Sequence, residues 1–210
     1  MSDTERWDKR YQAGTPPFDT GQPDRHLLDL IKAWPTVRGR ALEIGCGSGT
    51  NSVWLARQGF EVTGLDLSPT AIDRAKERAD ELGASCTFLV ADFLAEPANA
   101  PFDFVFDRGC FHCFFSADAR ARFASQVAEH LAPGGLWFSL LGSTDGPARD
   151  HGPPRCSARD VTQAVEEHFE VLSLASTHFE ADIPAPARAW TCLLRRRTEP
   201  PQPSTISMGG

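Results

Sequence analysis

Arg40-Ala-Leu-Glu-Ile-Gly-Cys-Gly-Ser-Gly-Thr50 is a short apolar run that passes directly into a glycine loop. The first half, Arg40–Ile44, has the length and the unbroken apolar character of a strand buried on both faces. Asn51 to Gln58 then reads as a helix, and Gly59 stops it, because glycine takes the left-handed conformation at a helix end without a Cβ clash. Strand, glycine turn and helix in that order open a doubly wound α/β sheet.

The alternation continues downstream. Glu61–Leu65 reads as a second strand ending at Asp66, and Ser68-Pro69 opens a helix with serine at N-cap and proline at N1. That helix runs to Leu82 and stops at Gly83; Cys86–Val90 is a third strand, ending at Ala91-Asp92. Phe102–Phe106 is a fourth, ending at Asp107. A helix over Ala117–Leu131 stops at Pro133-Gly134-Gly135, and Leu136–Leu141 is a fifth strand. After a loop from Gly142 to Pro154 come a helix, Ala158–His168, and two strands, Phe169–Ala175 and Trp190–Arg195. No helix fits easily between those two strands, so they are expected to pair antiparallel. The fold class is α/β: a doubly wound, mostly parallel seven-stranded sheet with a C-terminal antiparallel hairpin.

Upstream, Leu27, Leu30, Ile31 and Trp34 share one face of a helix that Pro35 ends. Before it lies an aromatic, turn-rich stretch in which Trp7 and Tyr11 are spaced i, i+4 and Pro16, Pro17 and Gly21 force a loop. Residues 1–5 are expected to be loose and 198–210 (TEPPQPSTISMGG) a disordered tail. One domain over 1–197 accounts for the rest.

With 210 residues, 41% hydrophobic and 23% charged, the chain has ordinary globular composition and is large enough for a core without staples. Its net charge of −7 argues against nucleic acid, which needs clustered Lys and Arg. No apolar run approaches the ~18 residues of a membrane span, and the N-terminus lacks the apolar core of a signal peptide. Six scattered cysteines do not read as a disulfide framework. A cytoplasmic monomer without nucleic-acid or membrane partners is expected.

Ligands in open α/β sheets bind beyond the carboxyl ends of the strands. Here those ends carry Gly45-Cys46-Gly47-Ser48-Gly49, Asp66, Asp92 and Asp107. Asp66 lies about 20 residues after the first glycine, the position from which a carboxylate reaches ribose hydroxyls. The loop is GxGxG, not the GxGxxG of dinucleotide sites, and Glu43 stands two residues before it. A carboxylate there suits a cationic ligand better than a pyrophosphate, which weighs against a nicotinamide oxidoreductase.

Leu42-Glu-Ile-Gly-Cys-Gly-Ser-Gly-Thr50, with Asp66 and Asp92-Phe93, resembles the S-adenosylmethionine site of class I methyltransferases over roughly residues 24–141. The resemblance implies S-adenosylmethionine as cofactor, with S-adenosylhomocysteine as product. The glycine loop would lie by its methionine part, Asp66 on the ribose hydroxyls, and Leu67, Asp92 and Phe93 by the adenine. More narrowly, Trp7-Asp-Lys-Arg-Tyr11 with Gly14 and Phe18, Phe106-Asp-Arg-Gly109, and His151-Gly-Pro-Pro154 are similar to thiopurine S-methyltransferases and related thiol or halide methyltransferases. That likeness implies that residues 1–22, with Trp7 and Tyr11, fold over the cofactor as a lid. It implies too that Asp107 and Arg108 line the reaction chamber. A small-molecule acceptor, a thiol or other soft nucleophile, follows.

Methyl transfer from a sulfonium is an in-line displacement, and a thiolate needs little help from a base. A hydroxyl or amine acceptor would need one, and His112, just after the fourth strand, is the candidate. A non-catalytic cofactor binder is the remaining alternative. Arg108 is placed to orient an anionic acceptor or brace the pocket, or to pair with Asp107; Asp107 is also a candidate for the lid or the methionine ammonium. Phe18, Cys110, Phe111, Arg155 and Phe179 are candidate acceptor-pocket residues. Cys110 and Cys113 form a CxxC pair open to three readings: pocket lining, metal or redox. No resident metal is expected.

Overall fold

The computed structural model describes residues 2–14, 16–34, 38–95, 101–147, 152–180 and 185–201. The Arg40–Ile44 run is strand β1 and pairs in parallel on both sides, with β2 (Glu61–Asp66) and β4 (Phe102–Arg108). β3 (Cys86–Val90) forms one edge beside β2, and β5 (Leu131–Gly142) continues the parallel ladder beyond β4. β7 (Arg188–Arg196) then inserts antiparallel between β5 and the edge strand β6 (Phe169–His178), giving the order β3-β2-β1-β4-β5-β7-β6. The strand order reverses between β1 and β4, which leaves a crevice over their carboxyl ends, where ligands bind in such sheets.

Alternate residues of the central strands feed opposite faces. Leu42, Val105 and Trp137 face one core, closed by Phe123 and Val127 of helix α5 (Ala117–His130) and Val161 of α6 (Ala158–Val165). Ala41, Phe104, Phe106 and Phe138 face the other, closed by Leu27 and Ile31 of α2 (Arg25–Ala33) and Leu55 of α3 (Thr50–Arg57). Burial of each such large side chain stabilises the fold by about 1.5–3 kcal/mol. α4 (Pro69–Leu82) covers the β2–β3 end through Ile72 and Ala75.

The bounds of β1, α4 and β3 match expectation; other elements differ at their ends, and α1, β5, β6 and β7 do so for physical reasons. α1 (Asp3–Gln12) takes in residues expected to be loose, because Ser2 and Glu5 cap it reciprocally. β5 begins at Leu131, before the Pro133-Gly134-Gly135 stop, because an irregularity in the β4–β5 ladder lets Leu131 pair with Phe102. β6 and β7 extend to His178 and Arg188, shortening the hairpin connection. His151 and residues 202–210, part of the expected tail, lie outside the described residues.

Candidate active site

The glycine loop is built by need. Gly45, Gly47 and Gly49 all have positive φ (70°, 54° and 74°), a region costly for residues with a Cβ. Space is equally demanding. A Cβ on Gly49 would stand 2.8 Å from the Cβ of Ala75, and one on Gly47 would strike the Tyr11 hydroxyl. Arg78 of α4 holds the loop from outside, donating to the Ser48 carbonyl at 2.9 Å and the Ser48 hydroxyl at 3.2 Å.

Asp66 reaches this loop from the next strand. Its Oδ2 accepts from the Gly47 N–H and its Oδ1 from the Ser68 N–H, each at 2.9 Å. Burial raises its carboxyl above the usual range, and the backbone donors oppose that. Glu43, on β1, is buried and accepts from Asn51 Nδ2 at 3.0 Å and from the Ser52 hydroxyl. Its carboxyl is pushed up to about 7, chiefly by burial. Asn51 Oδ1 in turn accepts from the Asp24 N–H at 2.9 Å. The β1 acid thus fastens the start of α3 to the start of α2 beside the pocket.

Arg108 is the central fastener on the other side. Nε donates to Asp24 Oδ2 at 2.7 Å, Nη1 to the Phe18 carbonyl at 2.9 Å, and Nη2 to the Glu180 carbonyl at 2.8 Å. Its guanidinium also lies 5.5 Å from the centre of the Phe179 ring. The salt bridge expected with Asp107 is therefore made with Asp24 instead. Asp24 accepts from His26 as well, and its carboxyl lies below the usual range: the His26 and Arg108 contacts outweigh burial, the largest single influence.

Asp107 faces away from the cavity. It is completely buried, Oδ2 accepting from Trp137 Nε1 at 2.9 Å and Oδ1 from the N–H groups of Cys110 and Phe111 at 3.0 Å each. These bonds set the single 3-10 turn Phe111–Cys113. The geometry gives Asp107 a folding role in place of the lid or cofactor contact expected of it. Phe111 belongs to the core, edge-on to Trp137 and Phe123, so it is no pocket wall. Phe93 likewise packs its ring on Phe123 and His130. Cys46 turns its sulfur into the core beside Gly64 and Phe88. Asp92 is exposed and accepts from the Leu94 N–H; Leu67 is half-buried. Arg155 is exposed and donates to the Pro147 carbonyl, away from the pocket.

His112 sits behind Phe179, edge to ring at 5.8 Å. The Gly142 N–H donates to its Nδ1 at 2.8 Å, which places the imidazole proton on Nε2. Burial first, and then Arg108, hold its pKa down to about 4. Neither lone pair nor basicity is left for abstracting a proton. Cys110 lies against Gly45, and Cys113 donates to the Gly109 carbonyl at 3.3 Å. Both are free thiols that burial holds above the ordinary value, Cys113 at about 11. Among the described residues no group of three or more His, Cys, Asp or Glu could hold a metal ion.

The cavity bounded by these groups is lined by Gly45, Cys46, Gly47, Ser48, Thr50 and Asn51 below and Tyr11, Phe18, Asp19, Thr20 and Gln22 above, with Glu43, Asp24, Arg108 and Glu180 at the side. Trp7 and Tyr11 both meet Phe18 edge-on, at 6.1 and 6.5 Å. Of these, Asp19, Asp24, Asn51 and Glu180 escape sequence reading, since they converge only through contacts between distant segments. The lining has four carboxylates and one arginine, and glycines at its floor. That donor set fits a cationic sulfonium carrying a ribose.

The methyltransferase-domain family matches residues 41–135. The chain is 36% identical over 151 residues to a probable thiol methyltransferase of Arabidopsis thaliana, covering 70% of this chain and 65% of the relative. It therefore spans just under two thirds of that relative's length. It is 30% identical over 173 residues to the 2-heptyl-1-hydroxyquinolin-4(1H)-one methyltransferase of Mycobacteroides abscessus, covering 81% of this chain and 75% of the relative. Among solved structures, one described for the conversion of a disulfide bond into a thioacetal group during echinomycin biosynthesis superposes with a TM-score of 0.82 at 30% identity, covering 93% of this chain and 92% of that one.

Proposed function

The chain belongs to the methyltransferase family, and from that premise we propose that it transfers a methyl group from S-adenosylmethionine to the sulfur of a small acceptor. The observation that carries the cofactor half is Asp66 held on the glycine loop by the Gly47 N–H at 2.9 Å. A carboxylate there can accept both ribose hydroxyls, and charge-assisted bonds of that kind are the strong ones. The acidic lining supports a cationic cofactor over an anionic one. When bound, S-adenosylmethionine would supply a methyl carbon on a positive sulfur, which a thiolate, its proton already given to solvent, could take while a neutral thioether leaves.

The protein's own part is alignment and exclusion of water. Tyr11 and Phe18 line the cavity and Trp7 packs against Phe18, as the expected N-terminal lid would need. Arg108 fixes the Phe18 and Glu180 backbones with two donors and Asp24 with a third, and Phe179 packs beneath it. His112 favours a soft acceptor by default, because its Nδ1 is engaged and its pKa is about 4. A thiol brings a nucleophile that is partly ionised near neutral pH. The relatives that act on a thiol and in thioacetal formation support sulfur, while the hydroxyquinolone relative keeps an oxygen acceptor as the second reading.

The test is S-adenosylhomocysteine release across aryl and alkyl thiols, hydrosulfide, iodide, a catechol and a hydroxyquinolone. Turnover on thiols that survives His112→Gln is expected. Turnover on the oxygen acceptors alone, lost in His112→Gln, would replace sulfur with a base-assisted oxygen acceptor.

A further inference from the structure

Helices α1 and α4 cap each other. Asp8, in the middle of α1, puts one carboxylate oxygen on the start of α4, accepting from the Ser68 hydroxyl at 2.6 Å and the Thr70 N–H at 3.0 Å. Arg74, one turn into α4, donates to the Tyr11 carbonyl at 2.7 Å and the Gly14 carbonyl at 3.1 Å, at the end of α1. A negative group at a helix start and a positive group at a helix end are each favourable with the helix dipole, and both satisfy backbone groups a helix leaves unpaired. The charge-assisted bonds lower the Asp8 carboxyl below its usual value, the Ser68 hydroxyl first.

Ser68 makes this contact more than a docking site. It is fully buried, and its main-chain N–H holds Asp66 Oδ1 while its hydroxyl holds Asp8. The proposed ribose acid and the N-terminal helix thus grip one residue from opposite sides. Docked in this way, α1 brings the Tyr11 hydroxyl over Gly47 and closes the cavity to about 60 Å³. Sites for small molecules run to roughly 300 Å³ or more, so a nucleoside needs more room than the docked α1 leaves.

We propose that Asp8 and Arg74 form a latch that couples closure of α1 to occupancy of Asp66, with Ser68 as the shared element. This rests on the cofactor reading above. Asp8 and Arg74 are positioning residues; neither touches the reacting atoms. Coupling of this kind is reciprocal: a ligand that steadies Asp66 and Ser68 favours the docked helix, and the docked helix tightens the ligand by the same factor.

Hydrogen exchange with and without S-adenosylhomocysteine, read separately over residues 3–14 and 45–50, tests it in the full-length chain. In the wild type the ligand should slow exchange in both segments. In Asp8→Ala and in Arg74→Ala it should still slow exchange at 45–50 but no longer at 3–14, with the dissociation constant raised about tenfold. The double variant should be little weaker than either single one, because the two act as one latch. Arg74→Ala, changed at a partly exposed side chain, keeps the test open should Asp8→Ala fold poorly. Ligand protection of 3–14 that persists in both variants overturns the latch while leaving the cofactor site intact. A wild type protected in neither segment overturns the cofactor reading and the latch with it.

Discussion

The turns after β2 and β4 begin alike and end differently. Each strand flanks β1, each closes on an aspartate at its carboxyl end, and each aspartate is answered by main-chain N–H groups of the turn that follows. After β2 the chain enters α4 at once through Ser68-Pro69, so Asp66 stays at the crevice with the glycine loop beside it. After β4 the chain folds back as a 3-10 turn whose Phe111 dives into the core, and Trp137 closes over the carboxylate. On the proposed reading Asp66 serves a ligand, whereas Asp107 serves the fold. A strand-end carboxylate marks a site only when the next residues leave it uncovered.

The sharpest break in the comparison is Asp66→Ala. It should lower turnover per cofactor about 100-fold or more through loss of two charge-assisted bonds of roughly 1.5–3 kcal/mol each, and lower the melting temperature less than Asp107→Ala does, since two main-chain N–H groups lose their acceptor instead of three N–H groups. Steady-state kinetics with varied cofactor and a thermal melt read both halves. Asp107→Ala should do the reverse. Three buried N–H groups lose their acceptor, at about 1–3 kcal/mol each, which lowers the melting temperature by roughly 10 °C. An equal fall in melting temperature for both variants would erase the distinction.

Arg108→Lys sharpens the β4 side. One ammonium cannot serve Asp24, the Phe18 carbonyl and the Glu180 carbonyl together. The acceptor KM should rise about tenfold while cofactor affinity stays within a few-fold. A larger loss of cofactor than of acceptor would move Arg108 to the other half of the site.

The smallest effects are in pH. Glu43 titrates at about 7 when folded against an ordinary 4.5. Its contribution to stability is therefore full below pH 4.5 and lost as pH rises through 7. His112 titrates at about 4 against 6.5, so its contribution is full above pH 6.5 and lost as pH falls through 4. Glu43→Gln should flatten the fall in stability from pH 4.5 to 7 in denaturant melts, and His112→Gln the fall from pH 6.5 to 4. Unaltered slopes would mean these groups are not held in their neutral forms.

The sequence made much of this legible, and unevenly so. Strand ends, the glycine loop and the N-cap Ser68-Pro69 are local signals, and β1, α4 and β3 fall where those signals place them. The antiparallel hairpin followed from a gap in which no helix fits easily. What was hidden depends on contacts between distant segments. The capping box of Ser2 and Glu5 is the exception, a purely local signal. The Asp24 partner of Arg108 lies 84 residues away, and the Asn51 partner of the Asp24 backbone 27. Phe93 and Phe111 stand beside candidate site residues in the sequence but pack into the core. A side chain's choice between cavity and core is set by tertiary packing, and position on a strand end does not reveal it.

The central claim is that the crevice beside Asp66 is a site for a ribose on a cationic or thioether cofactor. Calorimetric titration of the wild-type chain with S-adenosylhomocysteine and, separately, with NAD tests it most directly. The account predicts one S-adenosylhomocysteine site per chain at micromolar affinity or better, and NAD binding too weak to measure. NAD binding as tight as S-adenosylhomocysteine, or no heat from either, would contradict it.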